Sequence, residues 1–193
     1  MDLKLGSKTL IYSGGHTHEG DVGILFDVTA ANSLGSWCPI SERVVVAKLV
    51  TKPLNLGIIQ VYTPKTDSED VEVEKFYEEI EKAKGYLNKD IIIIMGGFNA
   101  KVGDVRVEDD DGPSGIGTEN ERESMLIELC QINDFTITNT WYQNHPKRQW
   151  TWKSPGDRSR DKIDFILIQT NSETPSKHRN HCLGPTVIQI IFQ

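Results

Sequence analysis

Ile91-Ile92-Ile93-Ile94-Met95-Gly96-Gly97-Phe98-Asn99-Ala100-Lys101-Val102-Gly103 is the stretch whose reading decides the fold. Its apolar run, Ile91–Met95, is apolar on both faces of an extended chain. Such a strand is covered above and below, so it reads as the centre of a sheet. Two glycines then break the run, and a polar Asn99 follows. By residue type alone, Asn99 suits the cap of a turn leaving a buried strand.

Further short apolar runs flank this strand, separated by turn residues. Thr9–Tyr12, Val22–Phe26, Arg43–Thr51 and Leu56–Tyr62 precede it, the third rich in β-branched residues. Phe135–Thr140, Gln149–Lys153 and Ile163–Ile168 follow it. Two segments interrupt the series with helical spacing. In Val71–Leu87, Val73, Phe76, Tyr77, Ile80, Ala83 and Leu87 fall on one face. Glu121–Ile132 gathers Met125, Leu126, Leu129 and Cys130 in the same way. Thr66 with Glu69, and Asn120 with Glu123, are spaced as capping boxes. Many strands with few helices predict a layered α/β sandwich rather than a strict βαβ repeat.

The chain has 193 residues, 37% hydrophobic and 25% charged, which suits one globular domain. Its net charge of −7 excludes an overall basic field that would hold a polyanion by counterion release. Cys38, Cys130 and Cys182 match neither a zinc spacing nor a paired disulfide framework. The first residues lack the apolar core of a signal peptide, and Ile91–Met95 is too short to span a bilayer. The expected location is intracellular, cytoplasmic or nuclear, with no membrane partner.

Three ordered blocks carry a resemblance. Gly96-Gly97-Phe98-Asn99-Ala100-Lys101-Val102-Gly103 after an apolar strand is similar to the Gly-Asp-Phe-Asn signature of the endonuclease/exonuclease/phosphatase (DNase-I-like) family. Val61-Tyr62-Thr63-Pro64 resembles that family's Val-Tyr-x-Pro strand end. Thr151-Trp152-Lys153-Ser154-Pro155, then Ser159-Arg160-Asp161-Lys162-Ile163-Asp164-Phe165-Ile166-Leu167, resembles its Thr-Trp-x-Ser-Pro … Arg-x-x-Ile-Asp-Tyr-Ile-Leu segment. Order and spacing are similar to the apurinic-type endonuclease domains of LINE-type retrotransposons.

The resemblance implies a four-layer α/β/β/α sandwich and an ancestral Mg²⁺-dependent phosphodiesterase acting on DNA. A carboxylate-held Mg²⁺ neutralises phosphate charge while a second carboxylate activates water. Asn99 would be a transition-state donor and Tyr62 would hydrogen-bond the phosphate. Asp164 would orient a catalytic histidine or support the metal shell. By residue type, Arg160 is a candidate substrate contact, a partner of Asp164 or a solvated loop cation, and Trp152 is a candidate substrate contact by base stacking, or core or rim packing.

Departures from the pattern point to lost catalysis. Gly97 stands where the family has its water-activating Asp. The family's early Asn strand and metal-binding Glu should lie upstream of Thr9. Its closing Ser-Asp-His should follow Asp164, yet residues 170–184 contain no Asp-His pair. The expectation is therefore a domain over residues 1–169, incomplete in its N-terminal and C-terminal strands, followed by a divergent tail over 170–193. The apolar end of that tail is read as an imitation of the family's last strand in altered register. No metal ligand is assigned, Mg²⁺ binding is expected to be weak, and DNA is the expected partner, weakly held. Two alternatives stand beside this reading. One is an active Mg²⁺ phosphoesterase recruiting other carboxylates such as Asp104; the other is a non-catalytic protein-interaction module. His16 with His18, the acidic loop Glu108–Gly115, and His178 with His181 read as polar loops rather than metal sites.

Overall fold

Alternating apolar runs become strands when both faces find cover, and here they build two sheets. The computed structural model describes residues 2–14, 20–87, 91–102, 121–140, 150–156, 158–169 and 189–192. In chain order the elements are β1 (Asp2–Leu5), β2 (Lys8–Ser13), β3 (Val22–Phe26), α1 (Val28–Asn32), β4 (Leu34–Pro39), β5 (Val44–Leu49) and β6 (Leu56–Tyr62). Then come α2 (Asp70–Lys84), β7 (Ile91–Gly97), α3 (Glu121–Asn133), β8 (Phe135–Ile137) and a 3-10 turn over Thr138–Thr140. Strands β9 (Trp152–Lys153), β10 (Arg160–Asp161), β11 (Asp164–Gln169) and β12 (Gln189–Phe192) complete the series.

The larger sheet has the order β4-β5-β6-β7-β11-β8 and the smaller β1-β2-β3-β12, while β9 and β10 form a separate two-stranded ribbon. As the isoleucine run predicts, β7 is central: it pairs parallel to β6 and antiparallel to β11. Alternation then assigns each face a core. Val44, Val46, Ile59, Val61, Ile92 and Ile94 pack under the helical residues Phe76, Ile80, Leu126 and Cys130. Val45, Ala47, Leu49, Ile58 and Met95 face Ile11, Val22, Ile24 and Phe26 of the smaller sheet. A helical layer, a large sheet and a small sheet are thus three layers of the expected sandwich among the described residues.

Helix α2 forms where its apolar spacing predicts, with Val73, Phe76, Ile80 and Ala83 buried. Asp70 and Glu72 in its first turn and Lys82 and Lys84 in its last suit the helix dipole. The expected capping box does not form. Glu69 is itself the N-cap and makes no side-chain cap bond. The Thr66 carbonyl instead accepts from Arg122 of α3 (3.3 Å).

Other departures have local causes. Helix α1 starts at Asp27, whose carboxylate accepts from Ala30 N at 2.8 Å. Strands β1 and β4 escape the apolar-run reading because their residues are largely exposed or half-buried. The predicted strand Phe135–Thr140 stops after Ile137, where Thr140 Oγ1 donates to the Ile137 carbonyl (2.9 Å). The apolar tail does form a strand: β12 pairs antiparallel with β3. Asn120, Asp104, the acidic loop, His16, His18, His178, His181 and Cys182 lie outside the described residues. Among the described residues, no helix is long and apolar enough to cross a membrane.

Candidate functional site

The ends of three neighbouring strands bring the sequence candidates together. The last residue of β7, Gly97, lies opposite Tyr62 at the end of β6 and opposite Asp164 at the start of β11. Tyr62 and Asp164 face the same side of the sheet across it. A Cβ at Gly97 would lie 3.0 Å from the Tyr62 ring and 3.3 Å from Asp164 Oδ1. The residue before it can only be glycine. Gly96 has φ +147, and a Cβ there would meet the Val61 carbonyl oxygen at 1.9 Å.

Asn99 follows in the left-handed region (φ 49), which asparagine tolerates better than most residues. Its amide donates to the carbonyls of Thr63 (2.9 Å) and Pro64 (3.2 Å). It therefore ties the β7 turn to the loop leaving β6, which is the turn-capping role its residue type suggests. Tyr62 is half-buried, with the Arg43 guanidinium 6.0 Å from its ring centroid.

Both residues line an open cleft of about 510 Å³ with Lys65, Thr66, Asp67, Lys101, Trp152, Ser159, Asp161 and Ile163. Trp152 is 40% exposed at its rim. Asp164 lies opposite Gly97 and is not one of the cleft-lining residues. Burial raises its pKa above the usual carboxylate range, and a hydrogen bond from the Thr151 side chain partly opposes the shift. Its backbone N–H donates to Thr151 Oγ1 (3.2 Å), and its carbonyl accepts from Asn139 Nδ2 (2.9 Å). Arg160 does not line the cleft. Its guanidinium lies over the Trp150 ring, 5.0 Å from the centroid.

Lys65, Lys101 and Asp161 are cleft residues that the sequence reading did not select. Lys101 Nζ is 3.0 Å from Asp161 Oδ2, and the Asp161 side chain is only 9% exposed against 34% for Lys101. Asp161 sits inside the Ser159-Arg160-Asp161-Lys162 block, and in β10, paired with Trp152 of β9, its side chain is buried.

The Mg²⁺ that the family resemblance implies needs several hard oxygen donors in near-octahedral array. Among the described residues, no three His, Cys, Asp or Glu side chains converge on one point. Asp161 is engaged by Lys101, Asp67 is exposed in the cleft wall, and Asp164 is outside the cleft lining. This donor set does not fit the ion.

The sandwich, with Tyr62, Gly97, Asn99 and Asp164 at the ends of its central strands, is the endonuclease/exonuclease/phosphatase, or DNase-I-like, fold. It resembles the endonuclease domain of TRAS1, a telomere-specific non-LTR retrotransposon, with TM-score 0.51 and 12% identity over 86% of this chain and 68% of that one. It also resembles the 3'-5' exonuclease NExo from Neisseria meningitidis, with TM-score 0.51 and 18% identity over 84% of this chain and 67% of that one. In sequence, the chain is similar to craniofacial development protein 2 of Bos taurus, 40% identical over 130 residues, and to that of Tragulus javanicus, 38% identical over 130 residues. The match covers 67% of this chain but only 22% and 23% of those proteins. No family model matches the chain.

Proposed function

We propose that this chain is a retrotransposon-derived nuclease-like domain whose cleft takes the phosphodiester backbone of DNA and whose hydrolytic power is largely lost. One observation carries the reading. The position between Tyr62 and Asp164, where the resemblance puts the water-activating Asp, holds a glycine. Loss of a general base typically lowers a rate by about 10²–10⁴-fold.

In this reading Tyr62 keeps a phosphate contact, and Asn99 serves mainly to fix the turn. Asp164 is a vestige of the catalytic shell, and Trp152 offers an apolar face to a base or sugar. Arg160 stiffens the ribbon through Trp150 and contacts substrate only at the periphery. Nicking of supercoiled plasmid and of an abasic-site duplex, with Mg²⁺ and with chelator, tests the proposal. Equal, background-level nicking in both conditions is expected. Metal-dependent turnover that Asn99→Ala abolishes would overturn it.

A further inference from the structure

We infer that the cleft holds a phosphate group directly on the Lys101 ammonium, assisted by Lys65, with no divalent cation between protein and ligand. The inference rests on the phosphodiester-cleft reading and adds the means of charge compensation.

Lys101 lies two residues beyond Asn99, on the turn that the Asn99 amide fixes to Thr63 and Pro64. Its ammonium is anchored 3.0 Å from a carboxylate that is almost wholly buried, while its own side chain remains about a third exposed (34%) at the cleft. A lysine tail normally loses rotamer entropy on being fixed. Here Asp161 has already fixed it before a ligand arrives, which makes a preorganised point charge. Exposed Lys65 and the Thr66 hydroxyl stand in the same lining, with the Ser159 hydroxyl and the Tyr62 phenol as further donors. The acids of the lining are Asp67 and Asp161; Asp161 shares the Lys101 ammonium with the ligand, and Lys65 supplies the second positive charge.

Lysine binds phosphate as a compact charge. Unlike a bound divalent ion, it does not make a potent nucleophile of water. A lysine-held phosphate is therefore bound without being hydrolysed, in line with the glycine at position 97. The chain carries a net charge of −7, so attraction should be local. Two phosphate contacts on duplex DNA predict a log–log salt slope of about −2.

Fluorescence anisotropy of a short labelled DNA duplex, in Mg²⁺ and in chelator, tests this, with inorganic phosphate as competitor and as separate ligand. Binding is expected to be equal in the two conditions and displaced by inorganic phosphate. Lys101→Met should weaken it about tenfold or more, Lys65→Met less, and Lys101→Arg should largely keep it. Lys8→Met, an exposed change of equal charge on β2, should leave it unaltered. Because Lys101→Met strands a buried carboxylate, the Lys101→Met/Asp161→Asn double variant is measured beside it and should bind as weakly.

Binding only in Mg²⁺, or equal binding by the Lys101 and Lys8 variants, overturns the lysine site while leaving the phosphodiester cleft in place. Phosphate binding that Lys101→Met weakens, without duplex binding, keeps the lysine site and removes the DNA reading. No binding of either ligand in any condition removes both.

Discussion

Gly97 and Asp164 face each other across β7 and β11, so closely that a Cβ on the glycine would lie 3.3 Å from an Asp164 carboxylate oxygen. The Tyr62 ring closes the other side at 3.0 Å. Restoring an acid at position 97 would therefore bring two carboxylates together in a partly buried place. Like charges at such range raise one pKa further rather than producing two ionised groups. Gly97→Asp alone should leave plasmid nicking at background. A rescue of about 10²-fold or more by that single change would show that the site lacks only its general base.

Gly96 is the backbone hinge of the same turn. Its φ of +147 and the 1.9 Å approach to the Val61 carbonyl leave no room for a methyl group. Gly96→Ala should destabilise the fold by about 3 kcal/mol or more, from backbone strain and displacement of β6. Denaturant unfolding would measure it. A loss below about 1 kcal/mol would show that the turn relaxes freely.

Asp164 also sets a pH dependence. Burial raises its pKa, so the folded state binds the proton more tightly than the unfolded state. Its contribution to stability is fully present when both states are protonated. It is lost as pH rises from the unfolded value through the raised folded one. Asp164→Asn should accordingly gain Tm relative to wild type at neutral pH, and the gain should vanish in acid. A gain independent of pH would place the effect elsewhere than in ionisation.

Arg122 couples α3 to the cleft wall. Its guanidinium is buried and donates to the Asp70 carboxylate (3.1 Å) and to the carbonyls of Thr66 (3.3 Å) and Ser68 (2.7 Å). Asp70 is 84% exposed and rehydrates easily, so the cost of losing Arg122 falls on the two carbonyls. Arg122→Met should cost about 1–3 kcal/mol in chemical denaturation. It should also raise hydrogen exchange in the turn carrying Lys65 and Asp67. Unchanged exchange there would separate α3 from the cleft.

The legible part of this protein was its cores. The isoleucine run announced β7 because every side chain of a doubly covered strand must be apolar. Helical spacing placed α2 and α3 within a few residues. Strands β1 and β4 were hidden because their exposed and half-buried residues carry little apolar pattern. Within the site, the motif blocks singled out Tyr62, Gly97 and Asp164, and the pairing of β6, β7 and β11 sets them in one row. The Lys101–Asp161 pair was not legible in the same way. It joins a turn to a ribbon 60 residues away, and no local periodicity encodes such a contact. Nor does the local charge pattern mark it, since Asp161 and its neighbour Lys162 are both buried while Arg160 is exposed.

The central claim is a nuclease-like cleft without effective hydrolysis. Single-turnover cleavage of an end-labelled abasic-site duplex, with protein in excess, tests it most directly because weak binding is then saturated. The predicted result is the same background rate in Mg²⁺ and in chelator, unaffected by Asn99→Ala. A Mg²⁺-dependent rate well above that background, lost in Asn99→Ala, would contradict the account.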